Sequence, residues 1–219
     1  MVRQSAVKPE FGPPLPALLR PWLAGLPSAV RAVLALVALV FLGAALWVVV
    51  DDPPQPEYVQ REPIAFNFRY SPRLAKIAPT PPELVRVEER RAGLFIQSFS
   101  VETLRLPPYT SIDGSLPRFL IPFIERERRR YRDFVLPEES PARVNEIPGY
   151  EFTFHARVGK RLLLGRVVVL PSLAPGARDG VVLRMLATPA AGLSKPDEVG
   201  VVGLTKRPFR TFRFGTEGP

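Results

Sequence analysis

The chain offers few side chains of the kinds that catalysis or metal binding requires. It contains no cysteine and a single histidine, His155, which excludes a disulfide framework, thiolate metal sites and cysteine nucleophiles. His155 lies in the alternating segment 150–158, on the same side as Glu151, Thr153 and Arg157. A lone histidine on the more polar face of a strand is usually a surface residue, so we predict no catalytic residue, no metal ligand and no cofactor.

Acidic residues occur as adjacent pairs, Glu88–Glu89 and Glu138–Glu139. Successive side chains of a strand point to opposite faces, so each pair makes a poor metal site without partners from elsewhere in the chain. The sequence also lacks the motifs of a nucleophile elbow, a P-loop and a zinc protease helix. An envelope hydrolase or transferase whose carboxylates meet only in the fold is retained as the alternative to a binding protein.

Arginine dominates the segment 124–134, IERERRRYRDF, in a chain of formal net charge +9. At about 100° per residue its apolar side chains form one stripe and its arginines lie elsewhere. This pattern predicts an amphipathic helix over 116–134, with Ser115 as N-cap and Pro117 in the first turn. Pro122 would kink the helix or delay its start. The stripe consists of Leu120, Phe123, Ile124, Tyr131 and Phe134.

The arginines of this helix form a candidate surface for an anionic partner, although a solvated helix face is the simpler interpretation. Acids are spaced to pair with them, Glu125 with Arg129 and Arg129 with Asp133. Glu127 is an exception, because it lies inside the apolar stripe. It lies either where the helix edge emerges from the core or opposite a strand arginine with which it pairs. The candidate surface comprises Arg126, Arg128, Arg129, Arg130 and Arg132.

A second basic stretch, KRPFRTFRFG at 206–215, alternates arginines with phenylalanines. Stacking aromatics combined with positive charge can bind single-stranded nucleic acid. The other interpretation is a closing segment whose aromatics enter the core while its arginines face water, and we favour this one.

Residues 32–50 carry no charge and would, at about 1.5 Å per residue, cross a hydrocarbon core of about 30 Å as a helix. Basic residues dominate before this segment, and Asp51 and Asp52 follow it. The positive-inside rule therefore predicts a cytoplasmic N-terminus, with the rest of the chain outside. We expect a retained anchor and not a cleaved signal peptide, because the basic region before it is long and no convincing cleavage site follows.

The remaining patterns predict an α+β domain of antiparallel strands packed against one long and one short helix. Period-two alternation indicates strands over 64–70 and 150–158, and a pair of strands over 83–106 around a turn at 91–93. The apolar run 162–170 is typical of a central strand covered on both faces. Further elements are a loop at 171–180, a strand at 180–188 and a short helix beginning at Pro196. The predicted organisation is a Pro-rich cytoplasmic tail (1–28), a transmembrane helix (29–50), a Pro-rich linker (51–63) and an extracytoplasmic α+β domain (64–219).

The order of IPGYEFTFHARVGKRLLLGRVVVLP, GVVLRMLATP and PFRTFRFG resembles uncharacterised membrane-anchored proteins of GC-rich actinobacteria with a PsbP-like domain, over about 64–214. This resemblance implies an antiparallel sheet flanked by helices and brings no catalytic residues. We therefore expect a binding or scaffolding module of the bacterial cell envelope, integral to the plasma membrane through a single pass. Its partner would be another envelope protein, a lipid headgroup or an anionic wall polymer, and no nucleic acid is expected.

Overall fold

The computed structural model describes residues 27–50, 55–107, 112–172 and 178–217. The chain divides into two units, Met1–Pro54 and Gln55–Pro219. Most of the predicted cytoplasmic tail, the start of the predicted linker and the middle of the predicted loop 171–180 lie outside the described residues.

The described part of the first unit is helix α1 (Ser28–Val50). Its side chains are described at 28–30 and 32–41, where they are exposed. Within the described residues, no helix is both long and apolar enough to cross a membrane. The assignment of 29–50 as a transmembrane helix therefore stays a prediction.

The second unit contains two antiparallel sheets. The strands are β1 (Glu57–Gln60), β2 (Phe66–Arg69), β3 (Ala75–Ile77), β4 (Glu83–Arg91), β5 (Leu94–Arg105), β6 (Arg132–Val144), β7 (Ile147–Val158), β8 (Arg161–Pro171), β9 (Asp179–Ala187) and β10 (Arg213–Phe214). The larger sheet has seven strands in the order β3-β4-β5-β9-β8-β7-β6, and the smaller has three in the order β1-β2-β10. The small sheet was not predicted, and its strand β1 lies within the predicted Pro-rich linker, 51–63.

The centre of the large sheet is buried on both faces. Val167 and Val168 of β8 point to opposite faces, and both are fully buried, as are Val182 and Leu183 of β9. This confirms the central strand predicted from the apolar run 162–170. The strand pair at 83–106 is also confirmed, as β4 and β5.

Each face of the large sheet supports its own hydrophobic core. Helix α2 (Ile112–Arg130) covers one face, where Leu120 and Ile124 pack with Phe152 and Phe154. The small sheet and the short helix α3 (Lys206–Thr211) pack with the core on the other face. The predicted α+β class, with antiparallel strands and few helices, is therefore confirmed, although the short helix α3 is not the one predicted to begin at Pro196.

Helix α2 differs from its prediction at both ends. It begins at Ile112, so Ser115 is inside the helix and is not its N-cap, and Pro117 and Pro122 both lie within it. It ends at Arg130, because β6 begins at Arg132 and Asp133 adopts a positive φ of 50° that no α-helix accommodates. Phe134 therefore belongs to a strand that was not predicted.

The closing segment has the predicted division between core and surface. Phe209 and Phe212 are buried, whereas Arg210 and Arg213 are exposed. The burial of these phenylalanines confirms the interpretation of 206–215 as a core-closing segment.

The helix expected to begin at Pro196 is a single 3-10 turn, Pro196–Glu198.

Candidate functional site

Four charged side chains form a cluster between helix α2 and the large sheet. We call Glu102, Arg126, Glu127 and Arg184 the ion cluster. Glu127 and Arg184 are 0% and 2% exposed, and they form a hydrogen-bonded ion pair. Of the two positions considered for Glu127, the structure shows the one opposite a strand arginine, with which it pairs.

Glu102 and Arg126 complete the ion cluster on either side of this pair. Nη1 of Arg184 is 3.6 Å from Oε1 of Glu102, which is 2% exposed. Nη2 of Arg126 is 2.8 Å from Oε2 of Glu102, and its Nε is 3.4 Å from Oε1 of Glu127. The cluster thus holds two positive and two negative charges, which limits the cost of removing each of them from water.

The fold places these residues together from three distant parts of the chain. Arg184 lies in the middle of β9, with Ser100 of β5 beside it in the register. Glu102 lies farther along β5, opposite Val182. Glu127 follows Leu120 and Ile124 on the inward stripe of α2, at the spacing that brings all three to one face of the helix.

The electrostatic environment keeps Arg184 charged. Burial alone would lower its pKa, but the negative charges of Glu127 and Glu102 outweigh burial, and the pKa is raised. The pKa of Tyr131 is also raised, mainly by burial, with Arg184 acting in the opposite direction. Tyr131 therefore stays a neutral hydroxyl beside the ion cluster.

Every buried carboxylate in the described residues is bound by arginine. Glu88 and Glu89 lie on opposite faces of β4, as predicted for adjacent strand residues, and have different partners. None of the carboxylates is left as an unpaired acid or base. The pairs are Glu88 with Arg86 and Arg90, Glu89 with Arg73 and Arg91, Glu102 with Arg126 and Arg184, Glu127 with Arg184 and Arg126, and Glu151 with Arg166.

The predicted candidate surface is divided between two environments. Arg126 is half-buried and belongs to the ion cluster, whereas the other four arginines are exposed. Arg132 is not on the helix but opens β6. The structure thus keeps Arg128, Arg129, Arg130 and Arg132 at one end of α2, where they are exposed to solvent.

The predicted helix ion pairs are not the ones formed. Glu125 pairs with Arg128, at 2.6 Å, and not with the next residue, Arg129. Asp133 is beyond the end of the helix, where it lies 3.4 Å from Arg157 of β7. The prediction for Asp133 was wrong because it assumed that the helix continued to Phe134, whereas the prediction for Glu125 was wrong because Glu125 pairs at i+3 and not at i+4 within the helix.

His155 is half-buried on β7, where it pairs in register with Leu164. Its imidazole side chain has no hydrogen-bond or ion-pair partner among the residues described. In that same part of the chain, no group of three His, Asp or Glu side chains is arranged to hold a metal ion.

No protein family and no curated protein matches the chain. Among solved structures, the Saccharomyces cerevisiae Ran-binding protein Mog1p is similar, with 11% identity and a TM-score of 0.47, over 73% of this chain and 94% of that one. PsbP (CyanoP) of Synechocystis is similar with 12% identity and a TM-score of 0.47, over 73% and 92%. The name of this second protein, PsbP, is that of the domain that the sequence resembles in the order of its segments. At such low identity and score, these likenesses assign neither a family nor a function.

Sequence reasoning missed Arg184, Glu102 and the strand arginines Arg86 and Arg90. Arg184 carried a visible signal, because it interrupts the apolar run GVVLRMLAT as Glu127 interrupts the helix stripe. Glu102 carried none, because it alternates normally with its neighbours; in the structure it is buried beside Arg126 of α2 and Arg184 of β9.

Proposed function

We propose that this chain is a membrane-tethered binding or scaffolding module of the bacterial cell envelope, and not an enzyme. The uncharged residues 32–50, which lie in helix α1, serve as the anchor. The excess of basic residues before the anchor supports a cytoplasmic N-terminus, with the second unit outside. Nucleic acid is then not a partner.

The observation that carries the non-catalytic role is the pairing of every described buried carboxylate with arginine. General acid–base and nucleophilic catalysis need a carboxyl group that can reach a substrate and change its protonation or bonding. Glu102 and Glu127 instead bind Arg184, with 2% and 0% exposure. The alternative, an envelope hydrolase using carboxylates, therefore receives no support from these buried acids.

The candidate binding face consists of the exposed arginines at the end of α2, which we call the arginine face: Arg128, Arg129, Arg130 and Arg132. The charge of Arg128 is partly neutralised, because Arg128 pairs with Glu125. Arg129 lies next to it and is also exposed. Arginine is well suited to bidentate contacts with phosphate and carboxylate groups. The partner is an anionic group near the membrane: a lipid headgroup, a wall polymer or an acidic envelope protein.

The test uses the full chain in nanodiscs of zwitterionic lipid and measures co-sedimentation with vesicles that contain phosphatidylglycerol. We expect replacement of the four arginine-face residues by Gln to weaken binding by about tenfold or more at low salt, because each near-surface charge contributes on the order of 1 kcal/mol. The variant should unfold cooperatively like the parent, since these side chains are solvated.

A matched control removes four exposed charges elsewhere: Arg105→Gln, Arg143→Gln, Arg210→Gln and Arg213→Gln. This control should retain most of the binding. Equal losses in both variants would indicate a general effect of net charge, and unchanged binding in the arginine-face variant would disprove the proposed surface.

A further inference from the structure

A pocket opens at the C-terminal end of α2, between the helix and strands β4, β5, β7, β8 and β9. Its volume is about 280 Å³. This is near the lower limit of about 300 Å³ for typical small-molecule sites. We call it the arginine pocket; its lining is Arg86, Arg90, Phe95, Arg130, Tyr131, Val158, Arg161, Leu162, Leu163, Leu186 and Thr188.

The inner part of the arginine pocket is apolar. Leu163 and Leu186 are 3% and 5% exposed and belong to the core under α2. Phe95 and Leu162 are half-buried at its wall. A ligand that enters this part of the pocket must therefore present an apolar group.

The rim of the arginine pocket is positively charged beyond what nearby acids neutralise. Arg86 and Arg90 share the buried carboxylate of Glu88. Arg130 and Arg161 have no acidic partner within the described ranges, and both are exposed. At least these two guanidinium groups can therefore donate hydrogen bonds to an incoming anion.

Tyr131 adds a neutral donor at the same place. Its ring stacks on Phe154, with the centroids 5.9 Å apart, and the guanidinium carbon of Arg130 lies 5.6 Å from the centre of the Tyr131 ring. Burial raises its pKa, so the hydroxyl keeps its proton at neutral pH. The pocket thus combines a fixed aromatic wall with cationic and neutral hydrogen-bond donors.

We infer that the arginine pocket binds a small amphiphilic anion, whose phosphate or carboxylate head contacts Arg130 and Arg161 and whose short apolar group lies on Leu163 and Leu186. The inference rests on the proposed binding function and specifies its ligand class. At about 30 Å³ per water-sized group, the pocket accommodates roughly nine non-hydrogen atoms. Butyl phosphate has this size and both chemical features.

Such a head group can come from a membrane lipid or from a soluble metabolite. Both sources share the same chemistry, a phosphate or carboxylate next to an aliphatic segment. The two are separable because only a lipid source depends on the composition of the surrounding bilayer.

The experiment measures binding of butyl phosphate and of inorganic phosphate to the full chain in zwitterionic nanodiscs, by calorimetry at one fixed salt concentration. We expect butyl phosphate to bind about tenfold tighter or more, because burial of each methylene group contributes to affinity. Equal affinities for the two probes, or no binding of butyl phosphate, would overturn the inference.

Two double variants identify the site. Arg130→Gln/Arg161→Gln should weaken butyl phosphate binding by about tenfold or more, because it removes both charge-assisted donors. Arg105→Gln/Arg143→Gln makes the same charge change outside both the pocket and the arginine face, and should leave the affinity within about twofold, as expected for exposed, screened charges. Equal weakening by the two variants would show that only net charge matters and would overturn the inference.

Repeating the titration in nanodiscs that contain phosphatidic acid distinguishes the sources. Weakened butyl phosphate binding there indicates competition by lipid, whereas unchanged binding indicates a soluble ligand, and both results support the pocket. If vesicle binding is lost in the arginine-face variant but butyl phosphate does not bind the parent chain, the proposed function stands and this inference fails. If neither is observed, the proposed function fails as well.

Discussion

Glu127 and Arg184 depend on each other because loss of either one would leave the buried ion cluster with an unbalanced charge. Their side chains are 0% and 2% exposed, so water cannot replace a missing partner. Buried ion pairs often add little to stability compared with apolar residues of similar size, whereas loss of one partner is severe. This difference predicts how single and double substitutions should behave.

Glu127→Gln should lower the free energy of unfolding by about 3 kcal/mol or more, since Arg184 loses its hydrogen-bonded counter-charge. Urea unfolding of the full chain in nonionic detergent, followed by circular dichroism, measures this loss. Glu125→Gln is the matched control; it removes an exposed pair and should cost less than about 1 kcal/mol. The double variant Glu127→Met/Arg184→Met should recover much of the stability, and a double variant as unstable as the single one would contradict this account.

Glu89 predicts an acid-dependent component of stability. Burial acts to raise its pKa, but hydrogen bonds from Gln97, Arg91 and Arg73 outweigh burial, and the pKa is lowered from 4.5. A carboxyl group with a lowered folded-state pKa stabilises the protein above its unfolded-state pKa, and this stabilisation is lost as the pH falls through the folded-state pKa.

We therefore expect the parent chain to lose more stability than Glu89→Gln between about pH 5 and pH 2. Urea midpoints measured across that range test the expectation. Glu139→Gln, an exposed residue of β6, serves as the control and should follow the parent. Parallel pH profiles for the parent and Glu89→Gln would show that Glu89 contributes no such component.

At the level of elements, the strands with clear alternation or continuous apolar runs were predictable, whereas β6 was not. Pro137 and Pro141 interrupt β6, and most of its side chains are exposed. An edge strand tolerates both features, because one side of its backbone needs no ladder partner. The predicted helix is too long because Tyr131 and Phe134 match the apolar stripe of α2. Both side chains reach the same core from beyond the end of the helix, and Phe134 does so from β6.

The ion cluster was predictable only in part, because its members come from segments that are far apart in the sequence. Glu127 was identified by its position in an apolar stripe, a local signal. Its partners Arg184 and Glu102 come from strands that are adjacent only in the finished sheet. A single sequence contains no signal for that adjacency.

The pairing of β7 with β8 requires a glycine at one position. Gly165 lies opposite Phe154 in the register, and a Cβ atom there would overlap the Phe154 ring. Gly165→Ala should therefore cost about 2–3 kcal/mol, as overpacking of a core does.

A double-mutant cycle with Phe154→Leu tests this cause by urea unfolding. Gly165→Ala should cost clearly less in the Phe154→Leu background, because the smaller side chain leaves room for the added methyl group. Gly159→Ala, in a turn with open space but a φ of 62°, is the control for backbone strain and should be insensitive to Phe154→Leu. Strict additivity for Gly165 and Phe154 would refute the steric explanation.

For the whole molecule, the location of the second unit decides which anions it can meet. The basic residues before 32–50 predict that the C-terminus lies outside the cytoplasm. An alkaline phosphatase fusion at the C-terminus should be active, and a green fluorescent protein fusion at the same position should be dark. The same reporters at the N-terminus should give the opposite pattern. A fluorescent C-terminal fusion with inactive phosphatase would reverse the topology and make inner-leaflet lipid and nucleic acid the candidates for the arginine face.

Strand β9 lies between β5 and β8, although it is the last of the seven large-sheet strands in the chain. When residues up to β8 have been synthesised, two sets of three strands can pair, β3–β4–β5 and β6–β7–β8, but no strand yet lies between them. Helix α2 at that stage carries Glu127 without its hydrogen-bonded partner, because Arg184 has not been made. Insertion of β9 closes the sheet and neutralises Glu127 in a single step, so a chain that stops before β9 exposes two unpaired strand edges and becomes a substrate for chaperones or proteases.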